Sequence, residues 1–160
     1  MTVHMKWLVF SDSHGKLDYM KKAAELEGPD RILHLGDVSR DAERLQTMFP
    51  QIPVEMVRGN CDGWYGDAPE EKELSFLGRK VWMAHGHEYH VKLGIGAFTA
   101  EARSREAGIA LFGHTHEPVC FMEGPLWVMN PGTVSGYPRA TYGVIEARDN
   151  EPYCRLEVIR

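Results

Sequence analysis

The chain has 160 residues, 43% hydrophobic and 26% charged, with a formal net charge of -5; this suits one domain, residues 1–160, with its own core, and is too short for two. Acidic and basic residues are intermixed, so there is no basic stripe to track a nucleic-acid backbone, and a stable nucleic-acid complex is not expected. Cys61, Cys120 and Cys154, irregularly spaced and without CxxC, exclude a disulfide framework and fit a reducing compartment.

The first apolar run, Trp7 to Phe10, is well short of a signal-peptide core, and no segment approaches the ~18 apolar residues of a membrane span. A soluble, cytoplasmic protein without a membrane partner is expected. WLVF (7–10) predicts a buried strand that runs into the polar SDSHG. Leu17, Met20, Ala23 and Ala24 recur at helical spacing until Gly28-Pro29. RILHL (31–35) predicts a second strand, stopped by Gly36-Asp37; Ala42, Leu45, Met48 and Phe49 a second helix; and PVEMV (53–57) a third strand leading into VRGNCDGW. Strand and helix alternating in this way imply a parallel sheet with right-handed crossovers, whose functional groups gather beyond the carboxyl ends of the strands.

The second half reads differently. ELSFL (73–77) and KVWMA (80–84) flank Gly78-Arg79 as a hairpin with a two-residue turn. A helix is predicted over 95–107, ending at Gly108, then strand IALF (109–112). PVCFM, LWVMN, ATYGVIEA and YCRLEVI suggest a second, largely antiparallel sheet.

Five polar clusters each follow a predicted strand: Asp12-Ser13-His14, Gly36-Asp37, Gly59-Asn60, His85-Gly86-His87 and Gly113-His114-Thr115-His116. A lone histidine, DxH or HxH is more often a turn or surface feature than a ligand; five clusters at equivalent strand ends converge on one rim. Mixed imidazole, carboxylate and amide donors without thiolate suit Mn²⁺, Fe, Zn²⁺ or Ni²⁺ and disfavour a structural cysteine-rich zinc site. Seven such donors are too many for one tetrahedral ion and fit two ions sharing a carboxylate, about 3.5 to 4 Å apart.

The ordered set DxH, GD, GN, HGH, GHTH, spread over residues 12 to 139 together with NPGT (130–133), resembles the calcineurin-like metallophosphoesterase superfamily. Chain length and GNCD point to its small YfcE-like phosphodiesterase branch. That resemblance implies an α/β fold, a four-layer α/β/β/α sandwich of two mixed sheets flanked by helices. It implies one ion on Asp12, His14 and His116, a second on Asn60, His85 and His114, and Asp37 bridging both. The cofactors implied are two divalent ions, Mn²⁺ first. The reaction implied is hydrolysis of a small phosphodiester by a metal-bridging hydroxide. Alternatives are a phosphomonoesterase on nucleotides or phosphoproteins and a non-catalytic, retromer-subunit-like protein-binding scaffold. A homodimer is also compatible.

Where many relatives carry a histidine after the asparagine, in a GNH motif, this chain has Cys61. A thiol lacks the reach and near-neutral titration of imidazole, although the YfcE-like branch shares this cysteine. Cys61 is read as a small neighbour of the ligands, not a nucleophile, and His87 as the proton-donating or substrate-side candidate beside Asp37, Asn60 and Cys61. Asp62 is assigned a supporting hydrogen bond to a ligand, Arg139 a phosphate contact or an ion pair, Trp64 a core position like the other tryptophans or else a place beside a substrate base, and loops 63–72 and 86–97 the specificity. His34, directed off the second strand, and His90 carry no role in this reading.

Overall fold

The computed structural model describes residues 4–62, 68–136 and 139–159. Residues 63–67, with Trp64, lie outside the described residues, so that part of the loop expected to carry specificity is not placed.

Strands β1 (Lys6–Phe10), β2 (Arg31–His34) and β3 (Val54–Met56) pair in parallel, connected by helices α1 (Leu17–Glu27) and α2 (Ser39–Met48). In β1, Trp7 and Val9 enter one core cluster and Leu8 and Phe10 another. This period-2 division buries both faces, which is why the strand is a continuous apolar run. Helix α1 buries Met20, Ala23 and Ala24 on one stripe, and Gly28, at φ +58°, closes it by donating its N–H to Ala24 O.

The other sheet is built from β4 (Glu71–Phe76), β5 (Arg79–Ala84), β6 (Ile109–Leu111), β7 (Val119–Glu123) and β8 (Leu126–Asn130), in the order β4-β5-β6-β8-β7. Helix α3 (Gly96–Ser104) covers its outer face, with Phe98 and Ala102 packed on Trp82, Ala110 and Val128. Val81, Met83, Ile109, Leu111 and Met129 meet Trp7, Val9, Leu33 and Val57 between the sheets. Trp7 and Phe76 join the layers edge to face at 5.0 Å. The result is a four-layer α/β/β/α sandwich of two mixed sheets.

Three expectations are corrected. The hairpin turn is Leu77-Gly78, not Gly78-Arg79: Phe76 pairs with Arg79, and Leu77 and Gly78 have φ of +50° and +79°, the pair of positive angles that a twist-matched two-residue turn requires. Helix α3 ends at Ser104, short of Gly108. Glu106, at φ +57°, takes the left-handed position, with Glu106 N–H bonded to Arg103 O and Ala107 N–H to Ala102 O, while Gly108 donates into the sheet at Lys80 O. Finally, β9 (Ala140–Arg148) and β10 (Glu151–Ile159), expected in the second sheet, pair as an antiparallel hairpin that completes the first sheet instead, in the order β10-β9-β1-β2-β3. Within the second sheet only the outer pairs β4/β5 and β7/β8 are antiparallel; β6 runs parallel to both neighbours.

Among the described residues no helix is long and apolar enough to cross a membrane.

Candidate metal centre

The loops after β1, β2, β3, β5, β6 and β8 meet at one edge of the sandwich. Backbone bonds connect them: Asp12 N to Gly36 O (3.0 Å), Gly113 N to His85 O (2.9 Å) and Val134 N to Ser11 O (3.1 Å). Asp12, His14 and His116 bring one ligand atom each within 4.8 Å of one another, and Asp37, His85 and His114 do the same. The groups adjoin through His85, whose Nε2 lies 3.4 Å from Asp37 Oδ2 and 3.9 Å from Asp12 Oδ1. Asn60 is exposed on the turn between Gly59 and Cys61, beside Asp37, to which the Cys61 amide bonds.

Five of these residues hold backbone angles that side chains avoid: φ is +55° at Asp12, +46° at His14, +47° at Asp37, +69° at His114 and +65° at His116. Each costs on the order of 1 kcal/mol and persists only where surroundings over-determine it. Close approach is the second constraint. A Cβ at Gly59 would stand 2.2 Å from Asp37 Oδ1, and one at Gly113 would stand 2.1 Å from Ser11 Oγ.

The electrostatics call for a cation. Asp12 is fully buried; its Oδ2 accepts from Ser11 Oγ (2.6 Å) and His114 N (3.2 Å), while Oδ1 has no hydrogen-bond partner and faces His116, His85 and His14 at 3.2, 3.9 and 4.0 Å. Burial pushes its carboxyl above the usual range, against the pull of His85 and Ser11. Burial acts the same way on Asp37, but there the His85 imidazole and the Cys61 amide prevail and hold it well below that range. His85 gives its Nδ1–H to Leu35 O (2.8 Å), leaving a buried, unpartnered Nε2 aimed at both carboxylates. An imidazole oriented through its far nitrogen, next to orphaned carboxylate oxygen, is the chemistry of a metal ligand set. These residues fit divalent ions.

The calcineurin-like phosphoesterase superfamily domain matches residues 5–150. The chain belongs to this family. Over 134 residues the phosphoesterase is 32% identical to the probable metallophosphoesterase YsnB of Bacillus subtilis, a match that covers 81% of this chain and 75% of YsnB. It is 28% identical over 171 residues to the phosphodiesterase YfcE of Escherichia coli K12, covering 89% and 88% of the two chains. A Streptococcus pneumoniae protein described as a predicted phosphoesterase shares the fold, with a TM-score of 0.78, 24% identity and coverage of 99% and 100%. The chain is a metal-dependent phosphoesterase.

The remaining sequence candidates are placed as follows. His87 opens a short 3₁₀ turn, with its ring centre 5.5 Å from that of His85 and 6.1 Å from that of His114. Its Nδ1 is buried without a partner, and burial, then His85, pull its imidazole down. Burial first, and then Asp37, push the exposed Cys61 thiol up to about 11, so at neutral pH it is a protonated thiol. Asp62 Oδ2 supports backbone, accepting from Gly59 N (2.7 Å) and Asp37 N (3.1 Å). Arg139 and His90 are exposed.

His34 is a correction. It is fully buried, in contact with Ser13 and Gly36, and not an idle strand residue. Sequence reasoning also passed over Asn130, whose Nδ2 donates to Gly113 O (3.1 Å) and Thr115 Oγ1 (2.9 Å), and Thr133, whose Oγ1 donates to Asp12 O (2.8 Å). Both lie in NPGT, so the motif was visible before its use was.

Proposed function

We propose that this phosphoesterase is a dinuclear phosphodiesterase acting on small phosphodiesters. The observation that carries the reading is the pair of adjoining three-donor groups, Asp12/His14/His116 and Asp37/His85/His114, that meet around the unpartnered Oδ1 of Asp12 and Nε2 of His85. In this reading Asp12, His14 and His116 hold one ion, His85, His114 and Asn60 the other, and Asp37 is shared. Mn²⁺ suits the mixed imidazole, carboxylate and amide donors. Bound divalent ions would supply charge for the phosphoryl oxygens and a water-derived nucleophile at neutral pH.

The chain's own groups prepare that chemistry. The Cys61 amide, donating to Oδ1, favours the ionised form of Asp37 that a shared ligand needs. Asn60 offers a neutral oxygen that leaves the positive charge undiminished. His87, half-buried beside the second group, is the proposed holder of the proton for the leaving oxygen. The phosphodiesterase name of YfcE supports the diester class.

The test is a rate comparison on mono- and diesters of one aryl leaving group, using metal-stripped protein reloaded with Mn²⁺. Diester turnover exceeding monoester turnover by tenfold or more is expected. The reverse preference would make the chain a monoesterase, and turnover of neither ester would leave the protein-binding scaffold.

A further inference from the structure

We propose that the buried chain His34–Ser13–Asp41 is a positioning device that holds the loop bearing Asp12 and His14 at a fixed distance from the loop bearing Asp37; this rests on the dinuclear reading above. All three residues are buried. Ser13 Oγ stands 2.9 Å from His34 Nε2 and 2.7 Å from Asp41 Oδ2, and the same oxygen of Asp41 takes the N–H of Gly15 at 2.6 Å. The other ring nitrogen, His34 Nδ1, takes the N–H of Gly36 at 3.2 Å.

These partners allow one arrangement of protons. Gly36 N–H is a donor, so His34 Nδ1 is bare and the ring's proton sits on Nε2. That N–H donates to Ser13 Oγ, and the serine hydroxyl donates to Asp41, a carboxylate that can only accept. Every donor in the chain has an acceptor. A neutral ring is what its surroundings demand: burial foremost pulls the His34 imidazole down to about 4, in spite of Asp41 and Asp62.

The device connects both ligand loops at their strained points. Ser13 lies between Asp12 and His14, at φ +55° and +46°, and Gly36 precedes Asp37, at φ +47°. A rigid imidazole therefore spans the gap between a neighbour of the first group and a neighbour of the shared carboxylate. Asp41, in the first turn of α2, fastens the far side of the Asp12 loop by taking both Ser13 and Gly15. His34, Ser13 and Asp41 touch no reacting atom in this reading; they act through the ligands.

The experiment measures Mn²⁺ stoichiometry, affinity and the electron paramagnetic resonance spectrum, with circular dichroism melting to follow the fold. Wild-type protein should bind two ions and show an exchange-coupled spectrum. Ser13→Ala, which removes the hydroxyl without adding bulk, should weaken one ion about 10- to 100-fold and replace the coupled spectrum by that of isolated Mn²⁺. Asp41→Asn, which keeps an oxygen acceptor for Ser13 and Gly15, should retain wild-type behaviour, whereas Asp41→Ala should match Ser13→Ala. A folded Ser13→Ala with wild-type affinities and an unchanged coupled spectrum would overturn the device and leave the dinuclear reading standing. Wild-type protein that holds no more than one ion would overturn that reading, and the device with it. If Ser13→Ala does not fold, the Asp41 pair decides: equal loss in Asn and Ala variants overturns the proposal.

Discussion

The backbone amide of Cys61 donates to Oδ1 of Asp37 at 2.8 Å. The residue that stands where a GNH motif has histidine therefore supports Asp37 through its main chain, a bond that serine or histidine at this position would preserve. Cys61→Ser should keep both metals and turnover within a few-fold. Cys61→His should speed alkyl diesters by about tenfold or more, while aryl diesters change little, because a proton donor matters most for a poor leaving group. His87→Ala should do the opposite, slowing alkyl diesters more than aryl ones. Steady-state rates on a matched alkyl and aryl pair measure all three; a Cys61→Ser variant that holds metal and has no turnover would restore the thiol as nucleophile.

Gly59 and Gly113 admit no side chain. Gly59→Ala would place a methyl 2.2 Å from Asp37 Oδ1, and Gly113→Ala would place one 2.1 Å from Ser11 Oγ, which bonds Asp12. Each should lower kcat at least 100-fold, since a displacement of about 1 Å can cost that much. Gly96→Ala meets nothing within 4 Å at the start of α3. It should leave activity unchanged and raise stability by up to about 1 kcal/mol, read by thermal melting.

The two groups differ in access. His14 and His116 side chains are 38% and 44% exposed, while those of His85 and Asp37 are 0% and 4% exposed. A chelator should therefore withdraw the ion of the Asp12/His14/His116 group first, and metal release followed over time should be biphasic. A single release phase for both ions would contradict this asymmetry.

Acid should weaken the fold through His34. Its pKa is about 4 when folded, below the 6.5 of a free histidine, so between these values the unfolded chain binds more protons and stability rises with pH. Stability from this group is complete above pH 6.5 and is lost as pH falls toward 4, on the order of 3 kcal/mol in all. Denaturant titrations of metal-free protein at several pH values measure it. The slope over this window should flatten in His34→Gln, which has no proton to gain; an unchanged slope would assign the acid sensitivity elsewhere.

The parallel half of the first sheet was legible in sequence because β1 and β2 are covered on both faces and read as apolar runs between amphipathic helices. The β9–β10 hairpin was legible as two strands but not as part of that sheet. Its partner β1 lies more than a hundred residues earlier, Val9 pairing with Gly143, and local pattern carries no record of such pairing. His34 was misread although parity could have placed it: it shares its strand face with Ile32, which packs against the helices α1 and α2, where Asp41 also lies. The candidate ligands were recoverable because each lies within five residues of the carboxyl end of a strand. Their supports Ser13, Asn130 and Thr133 were not, since a hydroxyl or amide gives no sign of its partner until the loops meet.

The most direct test is metal-dependent hydrolysis of an aryl phosphodiester by stripped and Mn²⁺-reloaded protein, with Asp37→Asn beside wild type and bound metal counted in the same samples. Wild type should regain turnover as two ions per chain are restored, and Asp37→Asn should lose at least 100-fold and fail to hold both. Full turnover in Asp37→Asn, or in the stripped wild type, would contradict the account.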